Sequence, residues 1–452
     1  MRILASAHQL TAHRPMGRWS PSELPKIQQW VAAKVNEANQ RDDLSLDPSL
    51  VAFQQLVNSN PAWKTLSNDM FIQSSKYYDP TGVPAIQSFD EFLNVVNLLI
   101  KSSPPFHVKE TPETAMEMIG LPINTVLNWP MGTMAGHEFW LTPAINASFK
   151  EVLDTWGSFL SSPASQASLK GWLSKESVAM IEDAANCGKE GPTFDEIFIC
   201  DPAAPYYGYP SWDGFFTRKF RDGIRPVEYP DDAPPTLNCP DPTLVITNAC
   251  ESAPFKLATN VKLQDTFWLK SQPYSLDRMM NNNPLAIQFV DGTVYQAYLS
   301  SKSYHRWHAP VSGDVVDIEK VPGTYFSENY FEGLAGNWRS ADPAAPNNSQ
   351  PYLSAVATRA IIWIQAKNPT IGLMAIVFIG MTDVSGCEFT VSVGDTITKG
   401  QGIGTFHFGG STHCLVFRKG VNLEFYNKPP WNMATEYNNR VNSALAVVSA
   451  CE

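Results

Sequence analysis

Two stretches carry residue types capable of chemistry. The first is Phe406-His-Phe-Gly409-Gly410-Ser411-Thr412-His413. A hydroxyl that follows an unhindered glycine carbonyl is placed to attack that carbonyl within its own chain, provided a base takes its proton. The plain alternative is a loop, because glycine is the usual residue where a backbone turns. The second stretch is Tyr304-His305-Arg-Trp-His308-Ala-Pro310, where two of the eight histidines stand three apart. One of them can act as a proton carrier, since histidine titrates near neutrality. A hydrogen-bonded or surface pair fits the same spacing, whereas a metal site lacks a carboxylate or cysteine cluster beside it. Glycines 400, 402 and 404 lack the following helix and Lys-Ser/Thr pair of a phosphate loop.

These stretches need a scaffold, and the chain divides into three parts. Residues 1–115 read as a helical accessory region. Lys26–Val35 repeats apolar residues at helical spacing, with Ser20 or Ser22 as candidate caps, and Phe89–Ile100 is a stronger amphipathic helix. Residues 116–234 stay helical, with Phe149, Val152, Leu153, Trp156 and Phe159 forming one apolar stripe. A Pro-rich connector, Tyr229 to Pro242, leads into a β-rich region, 235–452. There Ala286–Val290 and Thr293–Leu299 predict a hairpin turning at Asp291-Gly292. Further strands are expected at Ala360–Gln365, Leu373–Gly380, Glu388–Val393 and Gly404–Phe408, with 328–351 a long polar loop and candidate lid. The fold class is α+β.

Composition narrows the function. The formal charge of −11 disfavours nucleic acid and anionic membranes, both of which attract clustered Lys and Arg. The longest apolar runs are too short to span a bilayer, and the first residues do not read as a signal peptide. Seven cysteines without CxxC spacing fit reduced thiols better than a disulfide framework or zinc site. A cytoplasmic protein is expected.

The motifs also occur in a known order. Phe215-Phe-x-Arg218 with Arg225-Pro226, then Tyr304–Pro310, then Val321-Pro-Gly-Thr-Tyr-Phe-Ser327, then Gly409-Gly-Ser-Thr412 resemble the phosphatidylserine decarboxylases. Val393–Gly402 resembles the hairpins of lipoyl and biotinyl domains, without their modified lysine. Trp156–Pro163, Gly171-Trp-Leu173, Phe194–Phe198 and Ala204–Gly208 are similar to the soluble fungal branch of the decarboxylase family, typified by an L-tryptophan decarboxylase.

That resemblance implies self-cleavage between Gly410 and Ser411, with His308 as base. Ser411 would become a covalent pyruvoyl cofactor that forms a Schiff base with the substrate amine, and His305 would assist decarboxylation. Chains 1–410 and 411–452 would then work together. Phe326 and Phe408 are candidate pocket walls. The family's orienting aspartate has no counterpart in Thr247-Asn-Ala-Cys-Glu-Ser252. Either Glu251 substitutes, with Cys250 the competing alignment, or a Ser-His dyad suffices. The implied reaction is decarboxylation of an aromatic L-amino acid, with tryptophan to tryptamine first. A phosphatidylserine decarboxylase and a non-enzymatic β-scaffold whose Gly-Gly-Ser is an ordinary turn are the alternatives.

Overall fold

A computed structural model describes residues 24–43, 45–77, 86–106, 121–237, 239–265, 272–333, 344–383, 385–431 and 437–449. The caps expected at Ser20 and Ser22, the leader reading, Cys451 and residues 334–343 of the expected loop lie outside them.

Apolar spacing builds the helical half. Helix Leu24–Asn39 buries Ile27, Val31 and Val35, one stripe at four-residue intervals. Helix Phe89–Leu99 opens on Ser88, whose side chain accepts from the Glu91 amide and so satisfies one of the free donors of the first turn. Helix Pro143–Leu160 buries Phe149, Val152, Leu153 and Trp156 as the stripe predicts, while Phe159 is only partly buried. One apolar cluster runs from Ile27 to Phe216 and takes in Tyr304, Phe326 and Phe408. The helical half therefore packs directly on the histidine and glycine-serine segments. Among the described residues no helix is long and apolar enough to cross a membrane.

Among the described residues the β-rich half contains three sheets. Its strands run β1 (Val245–Thr247), β2 (Ala253–Thr259), β3 (Thr293–Leu299), β4 (Arg306–His308), β5 (Gly313–Val321), β6 (Arg359–Ala366) and β7 (Leu373–Thr382). They continue with β8 (Cys387–Phe389), β9 (Thr396–Ile397), β10 (Gly402–Phe406), β11 (Gly410–Phe417), β12 (Asn422–Phe425) and β13 (Ala444–Ser449). The main sheet has the order β2-β3-β11-β7-β6-β5-β9, with β4-β10-β8 and β1-β13-β12 as smaller sheets. All its pairings are antiparallel. The architecture is α+β, as expected.

Several sequence expectations are corrected. Ala286–Val290 is not a strand: Pro284–Phe289 forms a 3-10 turn started by Asn283, and β3 pairs instead with β2 and β11. Six of the seven residues of β3 are buried, which demands a neighbour on each side rather than a hairpin edge. The expected strand Glu388–Val393 shrinks to Cys387–Phe389. The polar loop contains short helices at Tyr330–Gly333, Ala345–Asn348 and Gln350–Val356. Gly410-Ser-Thr-His-Cys-Leu-Val-Phe417 is no flexible turn but a buried central strand, because its apolar run fills both faces between β3 and β7.

Candidate active site

Ser411 lies near the start of β11, opposite Leu299 of β3 and Gly380 of β7. The register slips between Gly410 and Ser411, so the peptide bond joining them spans a bulge. Bulges interrupt the ladder and re-aim side chains, which makes them common beside reactive centres. Gly409 has φ +145°, a conformation that side-chain-bearing residues rarely adopt. A Cβ there would meet the Thr382 carbonyl oxygen at 2.5 Å and the Ser385 amide at 2.7 Å. The close approach is fastened by the Ser385 amide, which donates to the Phe408 carbonyl at 2.7 Å. Ser411 is 2% exposed, and its hydroxyl has no hydrogen-bond partner among the described residues. A buried polar group left unpaired costs free energy, so its retention calls for a chemical reason.

The two histidines occupy different environments. The β4–β10 ladder places His308 opposite Gly402, while the His305 carbonyl accepts from the Phe406 amide. His305 is thus at the end of the ladder that leads into Gly409–Ser411. Its imidazole is fully buried and stacks on Phe216 at 3.8 Å. Burial, helped by the Arg218 charge, pulls its pKa down to about 3, so the ring is neutral at physiological pH. Arg218 donates to the carbonyls of Phe215, Lys302 and Ser303 and thereby holds the turn that enters the histidine motif. Phe408 packs edge-on against Trp212 at 4.7 Å and Trp156 at 5.2 Å, and lies 5.8 Å from Phe216. An aromatic wall therefore joins Phe408, next to Gly409, to His305 through Phe216. Phe326 lies in the same cluster but contacts Trp140 and Phe149 on the helical side.

His308 Nδ1 is 2.8 Å from the Gly400 carbonyl, which can only accept, so this nitrogen carries the proton. Nε2 is left as the acceptor, taken by the Tyr304 hydroxyl at 3.1 Å. This is the neutral tautomer a base requires, and burial keeps the pKa below its ordinary value. Neither nitrogen is hydrogen-bonded to the Ser411 hydroxyl, which has no partner among the described residues. The ring also faces a cavity of ≈ 370 Å³ lined by Lys219, Arg221, Arg225, Tyr304 and Arg306. Glu251 acts on His308 through its charge, and its hydrogen bonds among the described residues go elsewhere. Its carboxylate forms two contacts with Arg225, at 2.5 and 3.1 Å, and accepts from the Val441 amide at 2.9 Å. A carboxylate so engaged is a structural anchor. The competing Cys250 is wholly buried, and burial drives its thiol pKa well up, so it stays protonated.

Comparisons with known proteins show the family. Family models described as phosphatidylserine decarboxylase match residues 47–181 and 212–436. L-tryptophan decarboxylase from Psilocybe cubensis is 34% identical over 412 residues, covering 88% of this chain and 86% of that protein. The chain belongs to the phosphatidylserine decarboxylase family. Decarboxylase iboD from Amanita muscaria is 38% identical, covering 78% of this chain and 99% of that protein. L-tryptophan decarboxylase from Psilocybe cyanescens is 38% identical, covering 69% and 71%. As a member of this decarboxylase family the protein is an enzyme, a carboxy-lyase.

Within that decarboxylase framework, some residues had no signal in the sequence. Thr382 and Ser385 abut the Gly409–Gly410 segment from the far end of β7, some twenty-five residues upstream, with Asp383 bonded to Thr382, and nothing in Thr382-Asp-Val-Ser-Gly386 distinguishes them from an ordinary turn. The Gly400 carbonyl that fixes the His308 tautomer is a backbone group, invisible to motif reading. His413 shares Ser411's strand face two residues on, and burial lowers its pKa to about 3. It ends the Phe406–His413 stretch, but one histidine beside an apolar run specifies no role.

Proposed function

We propose that the protein cuts itself between Gly410 and Ser411 and, with Ser411 converted to a pyruvoyl group, decarboxylates an aromatic L-amino acid, L-tryptophan to tryptamine first. The observation carrying this reading is the buried, unpaired Ser411 hydroxyl at a bulge, two residues after Gly409, whose backbone other residues rarely adopt.

In the cleavage, His308 Nε2, once released by Tyr304, takes the Ser411 proton. The oxygen then bonds the Gly410 carbonyl carbon as the peptide C–N bond breaks, and the nitrogen takes a proton. The amide has become an ester. Loss of the Ser411 Cα proton breaks the Cβ–O bond, releasing residues 1–410 with a carboxylate at Gly410. The dehydroalanine left behind takes up water and expels ammonia. Holding the two groups in one strand supplies the proximity a bimolecular reaction would lack.

The site fits a pyruvoyl group: the position is buried, apolar-walled and flanked by residues without bulk at Gly380 and Gly410. When present, the group supplies a carbonyl that holds the substrate amine and accepts the electron pair left as CO₂ departs. The protein's own residues do the rest. His305, neutral and fixed against Phe216, relays the proton to the substrate carbon, taking one at its bare ring nitrogen as it gives one from the other. Phe408, Trp212 and Trp156 exclude water and offer aromatic edges to an aromatic substrate. The short chain stays in place because β11 is hydrogen-bonded to β3 and β7, both belonging to residues 1–410. The substrate assignment draws on the two relatives named L-tryptophan decarboxylase. An acidic chain whose six described cysteines are unpaired suits a cytoplasmic enzyme.

The test is amine release from aromatic L-amino acids. Tryptamine from L-tryptophan is expected. Release of phosphatidylethanolamine from phosphatidylserine vesicles, with no amine from any aromatic amino acid, would replace the substrate assignment.

A further inference from the structure

Asp383 immediately follows β7, with φ +58° and no exposure to solvent. One carboxylate oxygen accepts from the Ile123 amide at 3.1 Å, and the other accepts from the Thr382 hydroxyl at 3.3 Å. The Asn124 amide also acts on the group. Among the described residues no cation pairs with it. Burying a carboxyl without a counter-ion is costly, and every donor around this one would be served by a neutral side-chain amide. The residue is therefore dear to the fold in a place where a cheaper one would suffice.

Its location gives the reason. Thr382, bonded to the Asp383 carboxyl, pairs directly with Gly410. The Thr382 carbonyl presses on Gly409 and accepts from the Ser385 hydroxyl, whose oxygen in turn accepts from the Thr382 amide. On the other side, Leu121, two residues before the Ile123 amide, approaches Gly410. Asp383 thus ties together the two segments that enclose the scissile bond: the end of β7 and residues 121–124 of the helical half. Glu251, the acid nearest the family's aspartate in sequence, is committed to Arg225 instead.

We propose that Asp383 is a positioning residue for self-cleavage, clamping residues 121–124 and the end of β7 around Gly409–Gly410 so that the carbonyl of Gly410 is presented to Ser411. This rests on the self-cleavage reading and extends it to a carboxyl outside the family motifs.

Burial raises the Asp383 pKa to about 7, so the clamp titrates where cleavage is measured. The groups acting on it are neutral: two backbone amides and the Thr382 hydroxyl. At the far end of the same turn, His407 packs on Gly386 and is bonded to Asp213 and Glu388, and Cys387 is held protonated by burial. An ionised carboxylate grips amide and hydroxyl donors more strongly than a neutral acid, so cleavage should quicken as pH rises through this window.

The experiment follows the uncut chain with time by intact mass, from pH 6 to 8, after synthesis of the full chain in a cell-free system. Asp383→Asn keeps the shape and should cut at least about tenfold more slowly, with no inflection near neutrality. His407→Gln should keep the inflection, which separates the two titrations. A merely structural role would reduce folded yield without flattening the profile. Wild-type rate and profile in folded Asp383→Asn would overturn the proposal. Should that variant fail to fold, Thr382→Val removes the hydroxyl from the clamp, and cleavage at the wild-type rate there would overturn it equally. A wild-type chain that never cuts would instead defeat the self-cleavage reading itself.

Discussion

Replacing Glu251 separates an anchor from an orienting acid. In the structure the Glu251 side chain is 2% exposed and its partner Arg225 7%. Glu251→Ala would strand a buried guanidinium and leave the Val441 amide without its acceptor. Removing one partner of a buried ion pair costs about 3–5 kcal/mol, because the remaining charge is uncompensated. The lost amide bond belongs to the same network, so its cost is contained within that range rather than added to it. The Arg225→Met/Glu251→Leu double variant removes both charges and should recover most of the loss. Denaturant unfolding in a Ser411→Ala background, where the chain stays whole, measures the stability. Cleavage is followed separately with Ser411 intact. An anchor predicts that cleavage survives in the double variant. If Glu251 oriented the base, cleavage would fall by about 10⁴-fold there, as for loss of a triad carboxylate. An unfolding free energy for Glu251→Ala within about 0.5 kcal/mol of its parent would refute the burial reasoning.

Other outcomes follow from the same geometry. Gly409→Ala places a methyl group against two backbone atoms, so it should destabilise the Ser411→Ala chain by about 3 kcal/mol and block cleavage when Ser411 is present; full cleavage would contradict the close approach. His305→Gln should still cut, yet release amine about 10²–10⁴-fold more slowly per cut chain; normal turnover would remove its role. His407 has a raised pKa, owed first to its bond with Asp213 and further to Glu388. A raised pKa means that its stabilisation is complete below the unfolded value and is lost as pH rises through the folded one. His407→Gln should therefore lower the unfolding free energy at pH 6 but not at pH 9, by less than about 1 kcal/mol for so accessible a pair. An equal effect at both pH values would show that packing, not charge, is responsible.

The helices and most long strands were legible because apolar spacing alone specifies them: Phe149 to Trp156 on one face, and Leu373–Gly380 as a continuous buried run. The 286–299 hairpin was misread because Asp291-Gly292 is a strong local turn signal, whereas the pairing of β3 depends on strands distant in sequence. Gly410-Ser411 looked like a loop for the same reason: glycine advertises turning, while the close packing that here requires it comes from Thr382 and Ser385. Ser411, His305 and His308 could be picked out because their chemistry resides in side chains within compact motifs. The pairing of Glu251 with Arg225 was not legible, because a sequence shows that a carboxylate is near in number, but not which cation holds it. Asp383 was silent because its significance comes wholly from what folds against it.

The most direct test of the central claim is the intact mass of the purified protein. Self-cleavage predicts two chains, residues 1–410 and a short chain beginning at residue 411, the latter carrying a carbonyl that reacts with hydroxylamine in place of a free serine amine. Ser411→Ala should remain a single chain. A wild-type preparation that releases tryptamine from L-tryptophan while consisting only of the uncut 452-residue chain would contradict the account.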